Sequence, residues 1–319
     1  MTIFTRKRLI VAALVAAFLV VISVIAAVSK SSPTAAPTVA VAPAAGGVPS
    51  SLWYWTMAVS PKDPNVLVLG TANGLYRSAD GGKTWAPTGP KSVNETSLVE
   101  AGDTMYAGGV HVTPTTSAVI RKGTARAASD GPAVLSSSTD GGVTWQTLQP
   151  KGLPSVSIQS LATDPSNTSS LYALTNTGKL YRSIDSAKTF QLFDAKLGIA
   201  PWAIAITQGN QFVSGDMDSG PHTSANGKSW TPTPYTDLRK GKMVMEYAVQ
   251  PDAPNHVLMT SIGIESSTDG GKTWHPALKS QTMFGPVAWA ASSPKIAYAI
   301  DFDSILWRSA DSGKTWKKV

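Results

Sequence analysis

The sequence contains no cysteine in its 319 residues, so neither a disulfide nor a thiolate metal site can hold the fold, and stability must come from packing and backbone hydrogen bonds. The same absence leaves the redox compartment unreadable. Charge is sparse too: 15% of residues are Asp, Glu, Lys or Arg, and the formal net charge of +7 gathers at one end. Arg6, Lys7, Arg8 and Lys30 flank the first apolar run. Beyond them 23 basic side chains stand against 20 acidic ones, and five of those lysines lie inside a repeated phrase. A polyanion-binding face needs clustered cations, so nucleic acid is not an expected partner.

What is present first is one long apolar run. Leu9 to Val28 holds a single polar residue, Ser23. A helix of that length spans roughly 30 Å, the thickness of a bilayer core. It reads as a membrane-spanning helix. The alternative is a cleaved secretory signal, with Ala27-Val28-Ser29 as the small-residue site, but signal cores usually run roughly 7 to 15 residues, which favours an uncleaved anchor. Either way Arg6, Lys7 and Arg8 keep the N-terminus in the cytoplasm and send the remainder across. Residues 29–50 carry four prolines, many alanines and no aromatic, and read as a semi-rigid tether. The folded part is expected from Ser51 onward.

That folded part repeats a short polar phrase: SADGGKTW (78–85), STDGGVTW (138–145), SIDSAKTF (183–190), TSANGKSW (223–230), STDGGKTW (267–274) and SADSGKTW (309–316). Four of the six satisfy S-x-D-x-G-x-T-W at every specified position. Each sits between strand-like segments, so its polar centre should be a hairpin turn. The aspartate accepts backbone N–H bonds there, the glycines supply positive φ, and the tryptophan buries area against a neighbouring unit. Asp80, Asp140, Asp185, Asp269 and Asp311 are thus expected as turn formers rather than catalysts. The final aromatics are 60, 45, 40, 44 and 42 residues apart, the period of four-stranded propeller blades. The expected fold is all-β, a six-bladed β-propeller over residues 51–319 in preference to seven blades, preceded by the transmembrane helix. No strand can be assigned to an exchange between the first and last blades, so ring closure is expected from side-chain packing or from residues 46–52.

The phrase resembles the Asp-box (BNR) repeats of sialidase-like β-propellers, a group that includes sortilin-type receptor domains, xyloglucan-cleaving hydrolases and photosystem II assembly factors. The resemblance covers residues 51–319. It is specific for fold and poorly specific for function. Boxes 3 and 4 depart from it: Ala187 and Phe190 replace Gly and Trp, and Thr223, Ala225 and Ser229 replace Ser, Asp and Thr. Those turns should be looser, with Asn226 partly replacing the missing aspartate. The resemblance implies that any ligand meets the face opposite the boxes.

On that face the sequence offers several candidates. An insertion at residues 111–132, between the second and third strands of blade 2, carries His111, Arg121, Lys122, Arg126 and Asp130. It reads as a surface flap or as an anion-contacting lid. GDMDSGPH (215–222) has the look of half a calcium loop at Asp216 and Asp218, followed by His222. Asp301 and Asp303 lie in blade 6. Trp53, Trp55, Trp202, Phe284 and Trp289 are placed at the starts of inner strands, as channel core or as a stacking platform.

Two functions follow. One is a membrane-anchored, extracytoplasmic binding or assembly module for a protein or a glycan, with no cofactor required. The other is a glycoside hydrolase. The sialidase-like version needs three arginines outside the repeat, and only Arg121, Arg126 and Arg239 qualify; Glu246 and Tyr247 are adjacent, so they point to opposite sides of a strand. The paired-carboxylate version needs Asp216 or Asp218 opposite Asp301 or Asp303.

Overall fold

The computed structural model describes residues 47–51, 53–111, 132–194, 197, 201–216, 220–234 and 243–319, with the side chain of Asp216 outside the description. The apolar run at residues 9–28, the tether as far as residue 46, and Arg121, Arg126, Asp218 and Arg239 therefore lie outside the described residues. Among the described residues no helix is long and apolar enough to cross a membrane.

Apart from one 3-10 turn at Gln208–Asn210, the regular elements of the described chain are all strands. In the first antiparallel meander, β1 (Tyr54–Val59), β2 (Leu67–Thr71), β3 (Gly74–Ser78) and β4 (Ala86–Thr88) pair in sequence order. The second holds β5 (Val93–Ala101), β6 (Thr104–His111), β7 (Ala133–Ser138) and β8 (Gln146–Leu148). The third holds β9 (Ile158–Asp164), β10 (Asn167–Thr175), β11 (Leu180–Ser183) and β12 (Gln191–Asp194). The fourth holds β13 (Ala203–Thr207), β14 (Gln211–Asp216), β15 (Gly220–Ser224) and β16 (Thr231–Pro232). A fifth sheet has six strands: β17 (Tyr247–Val249), β18 (Val257–Ser267), β19 (His275–Trp289), β20 (Ala297–Asp301), β21 (Leu306–Ser309) and β22 (Lys317–Lys318). The inner strand β13 and the second strand β2 are buried at every residue and mostly apolar, whereas β4, β8, β16 and β22 are short and largely exposed.

The fifth sheet contains two ladders. β18 doubles back at Ile262-Gly263, where Gly263 has φ 95°, and its ends meet, with His256 Nε2 2.9 Å from Ser266 Oγ. β19 pairs with β18 through His275–Met283 and with β20 through Phe284–Trp289, so an outer strand runs straight into the next inner one.

The arrangement is a β-propeller. Each inner strand touches the next in order, from β1 through β5, β9, β13 and β17 to the second half of β19, which returns to β1. The core is divided accordingly into apolar layers between successive sheets. Ala58, Val68 and Leu75 meet Leu98, Met105 and Ala107; farther round, Tyr172, Leu174 and Leu180 meet Ile204, Ile206 and Phe212. The ring closes by the same means. Tyr54, Met57, Leu67 and Leu69 pack on Ala288, Tyr298, Ile300 and Leu306, with Val48 alongside. The Tyr54 hydroxyl donates to Pro49 O at 2.8 Å and lies 3.0 Å from Ser304 Oγ. Side-chain packing and the segment just before β1 both contribute, as the sequence allowed.

The repeated phrases are the turns between third and fourth strands. In the first, Asp80 Oδ1 accepts the N–H of Lys83 at 3.0 Å and of Thr84 at 2.9 Å, while Oδ2 accepts the Thr84 hydroxyl at 2.6 Å. Ser78 Oγ accepts the Gly82 N–H at 2.8 Å, and Trp85 Nε1 donates to Gly82 O at 2.9 Å. Asp140, Asp185, Asp269 and Asp311 accept the matching threonine N–H and hydroxyl bonds. The threonine hydroxyl is the largest cause that holds the Asp80, Asp140, Asp185 and Asp311 carboxyls down at about 2. All five serve as turn formers.

Boxes 3 and 4 are corrected in detail. Box 3 keeps the serine and aspartate bonds, the Ala187 N–H donating to Ser183 Oγ at 3.0 Å, but Phe190 has no indole N–H to add; Ser186 (φ 58°) and Ala187 (φ 64°) occupy left-handed backbone that glycine fills in boxes 1, 2 and 5. The departure places two non-glycine residues in left-handed backbone and removes the indole bond. Box 4 is one residue shorter than it looks. Ser224, not Thr223, takes the serine place, and Asn226 takes the aspartate place: Oδ1 accepts Lys228 N–H at 2.8 Å and Ser229 N–H at 2.9 Å.

Candidate functional site

Inner strands begin on the face opposite the boxes. Trp53 and Trp55, two apart and therefore on one side of the extended chain, stack at 5.5 Å with planes 13° apart. Trp202, just before β13 and from the far side of the ring, comes within 6.2 Å of Trp55. Phe302, in the turn after β20, meets Trp53 edge-on at 6.0 Å. Trp55 Nε1 is anchored by donating to Asn94 Oδ1 at 2.7 Å. All four rings are half-buried, so an aromatic platform sits over the mouth of the central channel.

Beneath it the channel is crossed by a polar strut. The Leu98 N–H donates to Thr56 Oγ1 at 2.9 Å, and the Thr56 hydroxyl donates to Glu246 Oε1 at 2.7 Å. Glu246 Oε2 accepts the Val287 N–H at 3.2 Å. Four sectors of the ring are thereby linked. Glu246 keeps some surface, facing the channel, yet protein surrounds it, and desolvation raises its pKa well above the usual carboxylate range against those two bonds. Glu100 accepts the Val59 N–H at 2.7 Å and is pushed up to about 8 for the same reason. Glu95 is fully buried, neither carboxyl oxygen has a partner among the described residues, and desolvation pushes it up to about 8. It is hemmed by glycines: a Cβ at Gly109 would meet Glu95 Oε2 at 3.0 Å, and one at Gly70 would meet Glu95 O at 3.1 Å.

The expected site residues divide. Trp202 joins the platform, and exposed His111 lies on the same face at the end of β6. The insertion falls where expected, between β6 and β7, which pair at Val110 and Ala133. Trp289 is a correction: it ends its inner strand on the box side, 2% exposed, with Nε1 donating to Ala248 O at 3.1 Å, and belongs to the core. Phe284 is fully buried and is core as well. His222 is only 6% exposed, with Nδ1 3.0 Å from Gly220 O, so it is no ligand contact on the surface. Asp301 ties its own turn, accepting from Asp303 N–H at 3.0 Å, Ile305 N–H at 2.9 Å and Trp307 Nε1 at 2.8 Å. With those three bonds and 3% exposure it serves the turn and is withdrawn from the surface. Asp303 Oδ2 accepts the Thr282 hydroxyl at 3.0 Å. No group of three His, Cys, Asp or Glu side chains that could hold a metal occurs among the described residues. Tyr247 packs its ring against Trp274 at 5.8 Å and Glu246 bonds to Thr56 and Val287, yet both residues line one cavity, so adjacency on the strand does not keep them apart. Phe302, Thr56, Glu95 and Glu100 were missed. For the two acids the visible signal was their place within one strand-like run, VNETSLVEA.

One of these turns matches a known repeat family, BNR/Asp-box. The family of that description matches residues 266–276. A curated protein of Neosartorya fischeri described as a "probable oligoxyloglucan-reducing end-specific xyloglucanase" is 27% identical over 286 residues, covering 82% of this chain and 31% of that protein. The chain thus spans under a third of that relative. Among solved structures, "YCF48 bound to D1 peptide" is similar with a TM-score of 0.51 and 20% identity, over 85% of this chain and 82% of that one. A glycoside hydrolase of Niastella koreensis, NkGH74, gives a TM-score of 0.39 and 15% identity over 82% of this chain and 49% of that one. The chain shares its fold with the YCF48 chain.

Proposed function

We propose that the protein is a six-bladed ring held outside the cytoplasmic membrane by residues 9–28, or released there if that segment is cleaved. On this reading it is a binding module whose ligand, an extended polypeptide segment, lies across Trp53, Trp55, Trp202 and Phe302. The platform carries the reading, because clustered half-exposed aromatics retain apolar area that a partner can cover. The similar YCF48 chain, described as bound to a peptide, supports a polypeptide ligand. A photoreactive phenylalanine analogue placed at position 302 should crosslink a discrete protein in membranes, and Trp202→Ala should reduce that yield at least fivefold. Equal yield with Trp202→Ala, or no crosslinked protein, removes the reading.

A second reading, action on an extracellular glycan, is supported by the stacked Trp53–Trp55 pair and the xyloglucanase relative. Incubation with xyloglucan oligosaccharides tests it. New reducing ends that disappear in Asp218→Ala or Asp303→Ala would establish hydrolysis, and saturable tryptophan quenching without cleavage would establish glycan binding alone.

A further inference from the structure

The ring also encloses a cavity of about 310 Å3 on the box side of the strut. Its inner end is formed by Met57, Glu246 and Val287, and it widens toward the first-to-second-strand turns at Gly102, Pro165 and Pro251. The walls are mostly apolar. The titratable groups that line it are Glu100, Asp164, Glu246 and Tyr247, with no Lys, Arg or His among the lining residues. Asp164 Oδ1 is occupied by the Ser166 N–H at 2.9 Å and hydroxyl at 2.6 Å, and both Glu246 oxygens have donors. Glu100 differs: Oε1 takes the Val59 N–H, and Oε2 receives no hydrogen bond from the described residues.

A cavity that combines apolar walls with convergent acids and no counter-charge is complementary to a cation on an apolar stem. We propose that it binds a primary alkylammonium group, which enters from the box face and sets its nitrogen against the Glu100 carboxylate. The group is the tip of a lysine side chain or of a free alkylamine, and the chemistry is the same. The site lies on the other side of the strut from the aromatic platform and does not depend on what the platform binds. Burial holds the empty Glu100 carboxyl un-ionised near neutrality. Arrival of the ammonium stabilises the carboxylate, so the Glu100 proton passes to solvent buffer as the ion pair forms, and charge balances.

The test is calorimetric titration of the full chain with n-butylammonium chloride at pH 7, in two buffers of different ionisation enthalpy, with n-butanol as the uncharged control. Saturable binding is expected, with about one proton released and butanol at least tenfold weaker. Glu100→Gln retains an oxygen for the Val59 N–H and should fold normally by circular dichroism, yet release no proton and bind at least tenfold more weakly. Parallel titrations with spermidine and with an acetyl-capped lysine dipeptide distinguish the two sources. The proposal is overturned by absent saturation in the parent, by butanol binding as tightly, by a buffer-independent heat, or by unchanged binding in Glu100→Gln.

Discussion

Replacing Glu95 with methionine should stabilise the protein, most strongly in neutral and alkaline solution. The side chain is fully buried between the first two sheets, and neither oxygen has a partner among the described residues. Its folded pKa, about 8, is far above the ordinary 4.5. The folded chain therefore holds a proton that the unfolded chain releases, so stability falls as pH climbs from about 4.5 to about 8 and then levels off. At about 1.4 kcal/mol per pH unit the full loss is roughly 5 kcal/mol, of which about 3 kcal/mol has accrued by pH 7. Methionine fills a similar volume, ionises at no pH and leaves no unsatisfied oxygen. For a ring of this size about 3 kcal/mol corresponds to a Tm increase of roughly 6–12 °C at pH 7. Thermal melts at pH 4.5, 7 and 8.5 provide the measurement. Glu100 and Glu246 impose a slope of the same sign on both proteins, so the difference between the two melts isolates Glu95. A variant whose Tm tracks the parent at all three pH values, or falls below it at pH 8.5, refutes the assignment of an un-ionised, unpartnered carboxyl.

Ser186→Gly and Ser312→Gly should each stabilise by roughly 0.5–1 kcal/mol in urea titrations, because these residues sit at φ 58° and 62° where glycine is unstrained. Gly82→Ala should cost about 2 kcal/mol or more by the same assay: the glycine has φ 92°, and a Cβ would collide with Leu306 Cδ2 across the closing interface. Thr56→Val should cost roughly 2–4 kcal/mol, since it strands both the Leu98 N–H and Glu246 Oε1 inside the ring; a melt within 1 °C of the parent would remove the strut from the account.

Much of the architecture was legible because it is local and repeated. The turn chemistry of S-x-D-x-G-x-T-W is satisfied within nine residues, so the hairpins, the strand order and the period could be read from spacing. The register of box 4 could not, because a one-residue deletion between Asn226 and Lys228 is invisible until Oδ1 is seen accepting both following N–H groups. Trp289 was misplaced for a different reason. Spacing identified the inner strand but not which of its ends the residue occupies, and the long β19 shifts that boundary. Asp301 looked catalytic because carboxylates in irregular turns serve both chemistry and capping, and only its three donors decide between them.

By itself, then, the sequence determined the repeating unit, the all-β class, the position of the insertion and the structural role of the box aspartates. These depend on hydrogen bonds between residues a few positions apart and on alternation along a strand. Tertiary structure decided what sits at the centre of the ring. Thr56 and Glu246 are 190 positions apart, yet with Leu98 and Val287 they share one chain of hydrogen bonds. Trp55 and Trp202 meet for the same reason. Closure of a ring brings together residues whose separation along the chain carries no record of that meeting.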